Sequence, residues 1–477
     1  MKNLKITTLL FLLLSFSLLV CGQPNEKKIK ELSSGANTFS GQTKEEIAKK
    51  QAIEKEYLDK ARQNIELYRK GDASVVILDS QGKPLTDIQV EVNQLTQDFL
   101  FGNLVFELGG FSPKVPYKVD EFKERFKALF NFAVLPFYWS GYEHAAGKPG
   151  WQKNEEALDW CLASGITCKG HPLGWTSPSG TPKWLMQQPE EVATELYKAR
   201  IYNNVIGYKG KIDIWDVVNE PVNTVPWEMA IKDTANNNDF RYNVNGIDVN
   251  QIAPWVEKSF KWAQEANPDG NYILNEYFTL AIPEVRDRFY RLIKELLKRN
   301  TPVKGIGIQA HEPREMWFSP VEMIKTFDLY QEFKLPIHIT EFIPQSSGKD
   351  ITGWRSGKWT EEAQAEFAEQ FYTLAFGYPS VVSINWWGLS DKNSWLKGGG
   401  LLDSDYNPKP VYHTLMKLIK HDWMTLNLKM KTDKEGKSGF RGFYGKYQVI
   451  ITKPDGSTTI FDAHLAEKAN NRWEFKL

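Results

Sequence analysis

The sequence predicts an α/β fold: a (β/α)8 TIM barrel over residues 98–424, with a small β-module built from the N- and C-terminal flanks. Three observations carry this reading. Between Asp98 and Trp423, eight short apolar runs of β type alternate with long helical patterns, as a closed parallel barrel requires. Residues 72–97 and 425–477, on either side, read instead as strands and turns. Neither flank is long enough for a sheet core of its own, so the two are expected to pack together beside the barrel.

The elements follow in chain order. Lys2 and Lys5 precede an apolar run from Ile6 to Val20, broken only by Thr and Ser. A basic start and a short apolar stretch predict a signal peptide over residues 1–22 and a secreted or extracytoplasmic protein, without a membrane span. The alternative is a bacterial lipoprotein, with Leu18-Leu19-Val20 before a lipid anchor on Cys21. Residues 23–71 are expected to form a polar linker and then a charged helix. Thr43-Lys-Glu-Glu46 matches a capping box, and Gly71 is expected to end that helix. Val75–Leu78 and Ile88–Val92 then read as a hairpin around the turn residues Ser80–Pro84.

The barrel strands are expected at Phe99–Phe106, Phe130–Pro136, Gly165–His171, Ile212–Val218, Tyr272–Asn275, Val303–Gln309, Pro336–Thr340 and Val381–Trp387. Helical patterns between them include Glu121–Leu129, Pro254–Ala266, Val285–Arg299 and Glu361–Phe376. The tail carries a second hairpin, Tyr447–Thr452 and Thr458–Phe461 around Lys453-Pro-Asp-Gly456. Trp473 is the sole Trp of the two flanks, which favours support over sugar binding.

Composition excludes several classes. Lys+Arg and Asp+Glu both number 59, so no bulk electrostatic attraction draws the chain to nucleic acid or to an anionic membrane. The aromatic content is high, with 17 Trp, 19 Tyr and 27 Phe, residue types that suit large cores and sugar rings alike. Three cysteines make no disulfide framework; Cys161 and Cys168 are expected as small buried side chains. No cofactor is called for, and a monomer is expected.

A barrel's active site lies at the C-terminal ends of its strands. The polar and aromatic residues there are His171, Asn219-Glu220, Asn275-Glu276, Gln309, His311, Glu341 and Trp386-Trp387. Glu220 and Glu341 each directly follow an apolar run. Hydrolysis of a glycosidic bond needs such a pair, one acid to protonate the leaving oxygen and one carboxylate to attack or to activate water. A strand-end Glu can equally be a salt-bridge partner, but two of them framed by Trp, His, Asn and Gln favour catalysis. A carbohydrate-binding barrel that had lost catalysis would have no need of both. A metal-dependent barrel would need a ligand cluster; His171 and His311 carry no HxH or HExxH pattern, so no metal is expected.

Trp215-Asp-Val-Val-Asn-Glu-Pro221 followed by Ile339-Thr-Glu341 resembles glycoside hydrolase family 10, the endo-1,4-β-xylanase family. Lys169-Gly-His-Pro-Leu-Gly-Trp175, Gly305–His311, Trp387-Gly-Leu-Ser-Asp391 with Trp395, and Pro408–Tyr412 follow in the family's order. The resemblance covers roughly Phe99 to His413. Phe99-Leu-Phe-Gly102 and Phe440-Arg-Gly-Phe-Tyr-Gly445 resemble the plant-type branch. The resemblance implies a polysaccharide substrate, Glu220 as general acid/base and Glu341 as nucleophile of a retaining mechanism. Asn219 would donate to the sugar's 2-hydroxyl, His311 would orient Glu341 and hold it ionised, and Gln309 would keep Glu220 in place. The charge on Glu341 would raise the pKa of Glu220. His171 and Trp175 would line the ring being cleaved, with Trp387 and Trp395 stacked as floor and roof.

Departures from the family concern recognition. Where the family has Glu, Asn and Lys holding glycone-side hydroxyls, this chain has Pro136-Phe137-Tyr138-Trp139-Ser140, which reads as an aromatic wall. Thr176 replaces a His, Glu276 an Asp, and Glu341-Phe-Ile the usual Glu-Leu-Asp. Xylan is the substrate by family, with a decorated xylan or another β-glycan as the alternative.

Overall fold

The computed structural model describes residues 43–108, 118–232, 247–392 and 394–477. The expected signal peptide, the Cys21 anchor and the linker up to residue 42 lie outside the described residues. Seventeen strands are described: β1 (Lys70–Leu78), β2 (Gln89–Gln94), β3 (Leu100–Leu104), β4 (Phe132–Pro136), β5 (Thr167–His171), β6 (Ile214–Asn219), β7 (Asn271–Glu276), β8 (Gly305–Ile308), β9 (Met316–Trp317), β10 (Ile337–Phe342), β11 (Thr352–Gly353), β12 (Val381–Trp386), β13 (Leu428–Lys431), β14 (Lys437–Phe443), β15 (Gly445–Thr452), β16 (Thr458–Leu465) and β17 (Arg472–Lys476). Eight of them close a barrel in the order β10-β12-β3-β4-β5-β6-β7-β8, all neighbours parallel. Each falls on one of the eight apolar runs. The runs are apolar throughout because helices cover the outer face, leaving no solvent side to alternate toward.

Helices Val119–Leu129, Pro283–Lys298 and Glu361–Phe376 match their patterns to within two residues. The helix expected from Pro254 begins at Val249 instead, because Asp248 and Gln251 form a capping box that places Pro254 in its second turn. The N-terminal helix runs Lys44–Tyr68 with the Thr43/Glu46 capping box formed in both directions. It does not end at Gly71. Arg69 caps it, and Gly71 is already in β1, where any Cβ would meet the Tyr444 ring at 2.6 Å. Close approach, not helix termination, is what requires glycine there. Ala61 and Ile65 of this helix join the main core, which fills the space between helices and barrel.

The flanks share two sheets: three strands in the order β14-β1-β17, and four in the order β13-β2-β15-β16. The sequence reading of β1 and β2 as one hairpin is therefore wrong. β1 pairs with β14 and β17, β2 with β13 and β15. The turn residues between β1 and β2 carry the chain from one sheet to the other. Val75 and Ile77 of one sheet, Val90 and Val92 of the other, with Tyr447, Val449 and Trp473, make one small core. The tail hairpin forms as read, with Thr452 opposite Thr458 and Gly456 in the left-handed region at φ 84°. Cys161 and Cys168 are free and buried. No described helix is long and apolar enough to cross a membrane.

Candidate active site

The parallel register brings the strand ends to one rim. His171 closes β5, Asn219 closes β6 with Glu220 next, Asn275 and Glu276 close β7, Gln309 follows β8, and Glu341 lies near the end of β10. Glu220 has a left-handed backbone, φ 57°, in a residue type that rarely adopts it. Its amide donates to the Asn275 carbonyl at 2.8 Å, so the turn that aims the acid is fixed by the neighbouring strand.

Both carboxylates are buried and belong to one network of side-chain amides. Nδ2 of Asn275 donates to Asn219 Oδ1 and to Glu341 Oε1, each at 2.8 Å. Thr340 Oγ1 donates to Asn275 Oδ1 at 2.6 Å, which sets the direction of that amide. Gln309 Nε2 lies 3.1 Å from Glu220 Oε1 and 3.2 Å from Asn219 Oδ1, donating to both. Asn219 Nδ2 donates to Glu220 Oε1 at 3.2 Å and Trp175 Nε1 to Glu220 Oε2 at 2.9 Å. Around Glu341, Nε2 of His311 stands 3.3 Å from Oε2 and Nε2 of His171 stands 4.0 Å from Oε1. All the expected partners of the two carboxylates thus converge.

The electrostatics single out Glu220. Burial pushes the Glu220 carboxyl up to about 8, with the neighbouring Glu276 and Glu341 adding to the shift while the bonds from Gln309 and Trp175 oppose it. Desolvation is the leading cause, and Glu276 stands ahead of Glu341, the sole cause the sequence reading named. Glu276 is itself raised to about 7 by burial, against the bonds it accepts. Those bonds come from the Val222 amide at 2.9 Å, Asn223 Nδ2 at 2.7 Å and the Tyr277 amide at 2.9 Å. Glu276 therefore also ties down the turn that follows the acid.

Trp387 and Trp395, both from the loop after β12, stand beside the two histidines. The Trp387 ring lies 5.1 Å from that of His171, and the Trp395 ring 5.3 Å from that of His311. Both pack into one small apolar cluster with Leu104, Val134, Ile343 and Leu396.

The expected aromatic wall is not formed as read. Phe137 and Trp139 are fully buried and turned away from the site. Phe137 packs on Trp215 at 4.9 Å and Tyr208 at 5.2 Å; Trp139 stacks on Trp227 at 6.3 Å and Tyr197 at 6.1 Å. Ser140 Oγ donates to the Pro178 carbonyl at 2.6 Å. Tyr138 faces the site, with its ring 5.4 Å from His171, 5.7 Å from Trp175 and 5.6 Å from Phe106. Polar substitutions at 136, 137 and 140 are accordingly expected to harm the fold rather than improve xylan cleavage. Phe137→Ala should cost about 3–5 kcal/mol of stability. Thermal unfolding and xylan assays of that variant check this; an unchanged melting temperature would contradict the packing.

Other residues of the site were missed. Asp216 accepts from Lys169 Nζ at 2.6 Å and lies 2.7 Å from His171 Nδ1 through the same oxygen, all three buried. Their signal was present as charge within otherwise apolar strand runs. Arg200 was not legible. From helix Glu190–Gly207 it donates to the Phe137, Pro172 and Leu173 carbonyls, tying the ends of β4 and β5 together. Among the described residues, no group of three or more His, Cys, Asp or Glu is placed to hold a metal ion.

Comparison with known proteins agrees with the barrel fold. The profile of glycosyl hydrolase family 10 matches residues 128–418. Endo-1,4-beta-xylanase A of Caldicellulosiruptor sp. (strain Rt8B.4) is 32% identical over 279 residues, 55% of this chain and 38% of that protein. Endo-1,4-beta-xylanase B of Thermotoga neapolitana is 28% identical over 314 residues, 63% of this chain and 84% of that protein. The crystal structure of native xylanase 10B from Thermotoga maritima superposes with a TM-score of 0.54 at 24% identity, covering 68% of this chain and 96% of the other, and so shares the fold. With its eight-stranded barrel and both carboxylates at the strand ends, the chain belongs to glycosyl hydrolase family 10 and is a glycoside hydrolase of the endo-xylanase type.

Proposed function

We propose that the protein cleaves internal β-1,4-xylosidic bonds of xylan-type polysaccharide with retention of configuration. The observation that carries this is the buried pair of carboxylates on one amide network, one protonated at neutral pH and the other held between Asn275 and two histidines. Glu341 attacks the anomeric carbon as Glu220 delivers its proton to the departing glycosidic oxygen. The covalent glycosyl-enzyme is then opened by a water from which Glu220 takes a proton, returning both groups to their starting state. Asn219, whose Nδ2 donates to Glu220, donates to the sugar's 2-hydroxyl in this reading. His171, Trp175, Gln309, His311, Trp387 and Trp395 complete the substrate-binding set. A binding protein without catalysis gains nothing from burying two carboxylates side by side, at a desolvation cost of several kcal/mol for a charged group.

The names of the relatives support xylan as the polymer. A decorated xylan or another β-glycan is favoured by one feature, the Tyr138 ring beside His171 where the resemblance expects polar groups. The basic start and apolar run of residues 1–22 support export, with Cys21 as the alternative lipid anchor. Phe99–Gly102 and Phe440–Gly445 support kinship of the flanks with the plant-type branch. Digestion of plain xylan, arabinoxylan, glucuronoxylan and mixed β-glucan tests the substrate. Following the first-formed product by proton NMR should show the β-anomer before mutarotation; the α-anomer would overturn the mechanism.

A further inference from the structure

The N-terminal helix Lys44–Tyr68 precedes the family-matched segment, yet one of its carboxylates is buried against the loop that follows the nucleophile strand. Glu54 Oε1 accepts from Trp354 Nε1 at 2.8 Å and from Arg355 Nε at 2.7 Å, and Oε2 accepts from Arg355 Nη2 at 2.6 Å. This is a bidentate, charge-assisted contact, the strong kind. One helical turn earlier, Lys50 Nζ donates to the Trp354 carbonyl at 2.7 Å.

What Glu54 holds is joined to the site by packed groups. Arg355 stacks on Trp317, its Cζ 4.2 Å from the ring. Strands β9 and β11 pair Met316 with Thr352 and Trp317 with Gly353, which locks the loop after β8 to the loop after β10. Gly353, at φ 85°, admits no side chain: a Cβ would meet Met316 Cγ at 2.6 Å. The loop after β8 carries Arg314, whose carbonyl accepts from Gln345 at 2.8 Å and whose guanidinium lies 4.5 Å from the Trp395 ring. Trp395 packs on His311, and His311 stands 3.3 Å from Glu341.

We propose that Glu54 is a positioning residue for catalysis: it clamps Trp354 and Arg355 so that the β9–β11 ladder seats His311 and Trp395 against Glu341. The inference rests on Glu341 as nucleophile. A displacement of order 1 Å at such a group costs up to about a hundredfold in rate, whereas binding elsewhere along the cleft is unaffected.

The test uses the full chain and the variants Glu54→Gln, Arg355→Met and the double variant, with an aryl β-xyloside and xylan assayed at 25 °C, well below each melting temperature. On xylan, whose binding is spread along the cleft, Glu54→Gln and Arg355→Met should each lower kcat by between about 10- and 100-fold with KM within twofold, and the double variant should be no worse than the poorer single one. Trp354→Phe removes only the indole donor, and serves if Glu54→Gln does not fold; a kcat loss of at least threefold at unchanged KM is expected of it. A lowered melting temperature with kcat within twofold of wild type would make the contact merely structural and overturn the inference. Glu341→Ala run alongside separates the cases: if it stays active, the nucleophile assignment fails; if it is dead while the Glu54 set is unaffected, this inference alone fails.

Discussion

Glu341→Ala is expected to abolish turnover of polymeric and aryl substrates alike, by a factor on the order of 10⁵ or more. No other carboxylate can take its place. Glu220 is committed to the proton, and Glu276 has both oxygens engaged by the Val222, Asn223 and Tyr277 donors. A better leaving group cannot rescue the variant, because the missing step is bond formation at the anomeric carbon. The fold should persist, since Asn275 keeps its bonds to Asn219 and Thr340. Steady-state rates on xylan and on an aryl β-xyloside, with circular dichroism as the control for folding, check this. A loss smaller than a hundredfold would place the nucleophile elsewhere.

Glu220→Ala should behave differently, and the difference identifies its role. General-acid assistance is worth roughly 10²–10⁴-fold where the leaving group is a poorly acidic sugar hydroxyl, so xylan cleavage should fall by about that much. A dinitrophenyl glycoside needs little protonation. Its first bond should break nearly as fast as in wild type, giving a burst of phenol, after which slow attack by unassisted water limits turnover. The pH dependence follows from the same group. The acid works while protonated, and burial together with Glu276 and Glu341 raises its pKa from 4.5 to about 8. Wild-type kcat/KM on xylan should therefore hold through neutral pH and fall as pH rises through about 8. On the activated substrate, Glu220→Ala should lack that alkaline limb. Equal losses from Glu220→Ala and Glu341→Ala on the activated substrate would contradict the assignment.

The barrel and its two carboxylates were legible because their signals are local. An apolar run bounded by helices marks a strand, and the polar residue that ends it marks the rim. The order of the eight runs then fixes which ends share a cleft. Where a side chain points just beyond a strand is not local. Phe137 and Trp139 read as a wall in sequence, but the turn after β4 aims them into the gap between barrel and helices, leaving Tyr138 at the site. Pairing across the chain is equally hidden. β1 and β2 look like a hairpin until their true partners, hundreds of residues later, are known. Glu54 gave no signal at all, since a glutamate on a charged helix ordinarily faces solvent.

The braiding of the flanks bears on how the protein is made. β1 needs β14 and β17, and β2 needs β13 and β15, so neither N-terminal strand can find a partner until the segment from Leu428 onward has left the ribosome. Until then both present unsatisfied backbone donors and acceptors, a template for association with other nascent chains. The barrel must take shape between two ends still waiting to meet, and the sandwich closes last. A chain stopped short of β14 would carry the whole catalytic barrel and still expose two sticky strands. Strands β13 to β17 thus cover two edges that would otherwise invite aggregation.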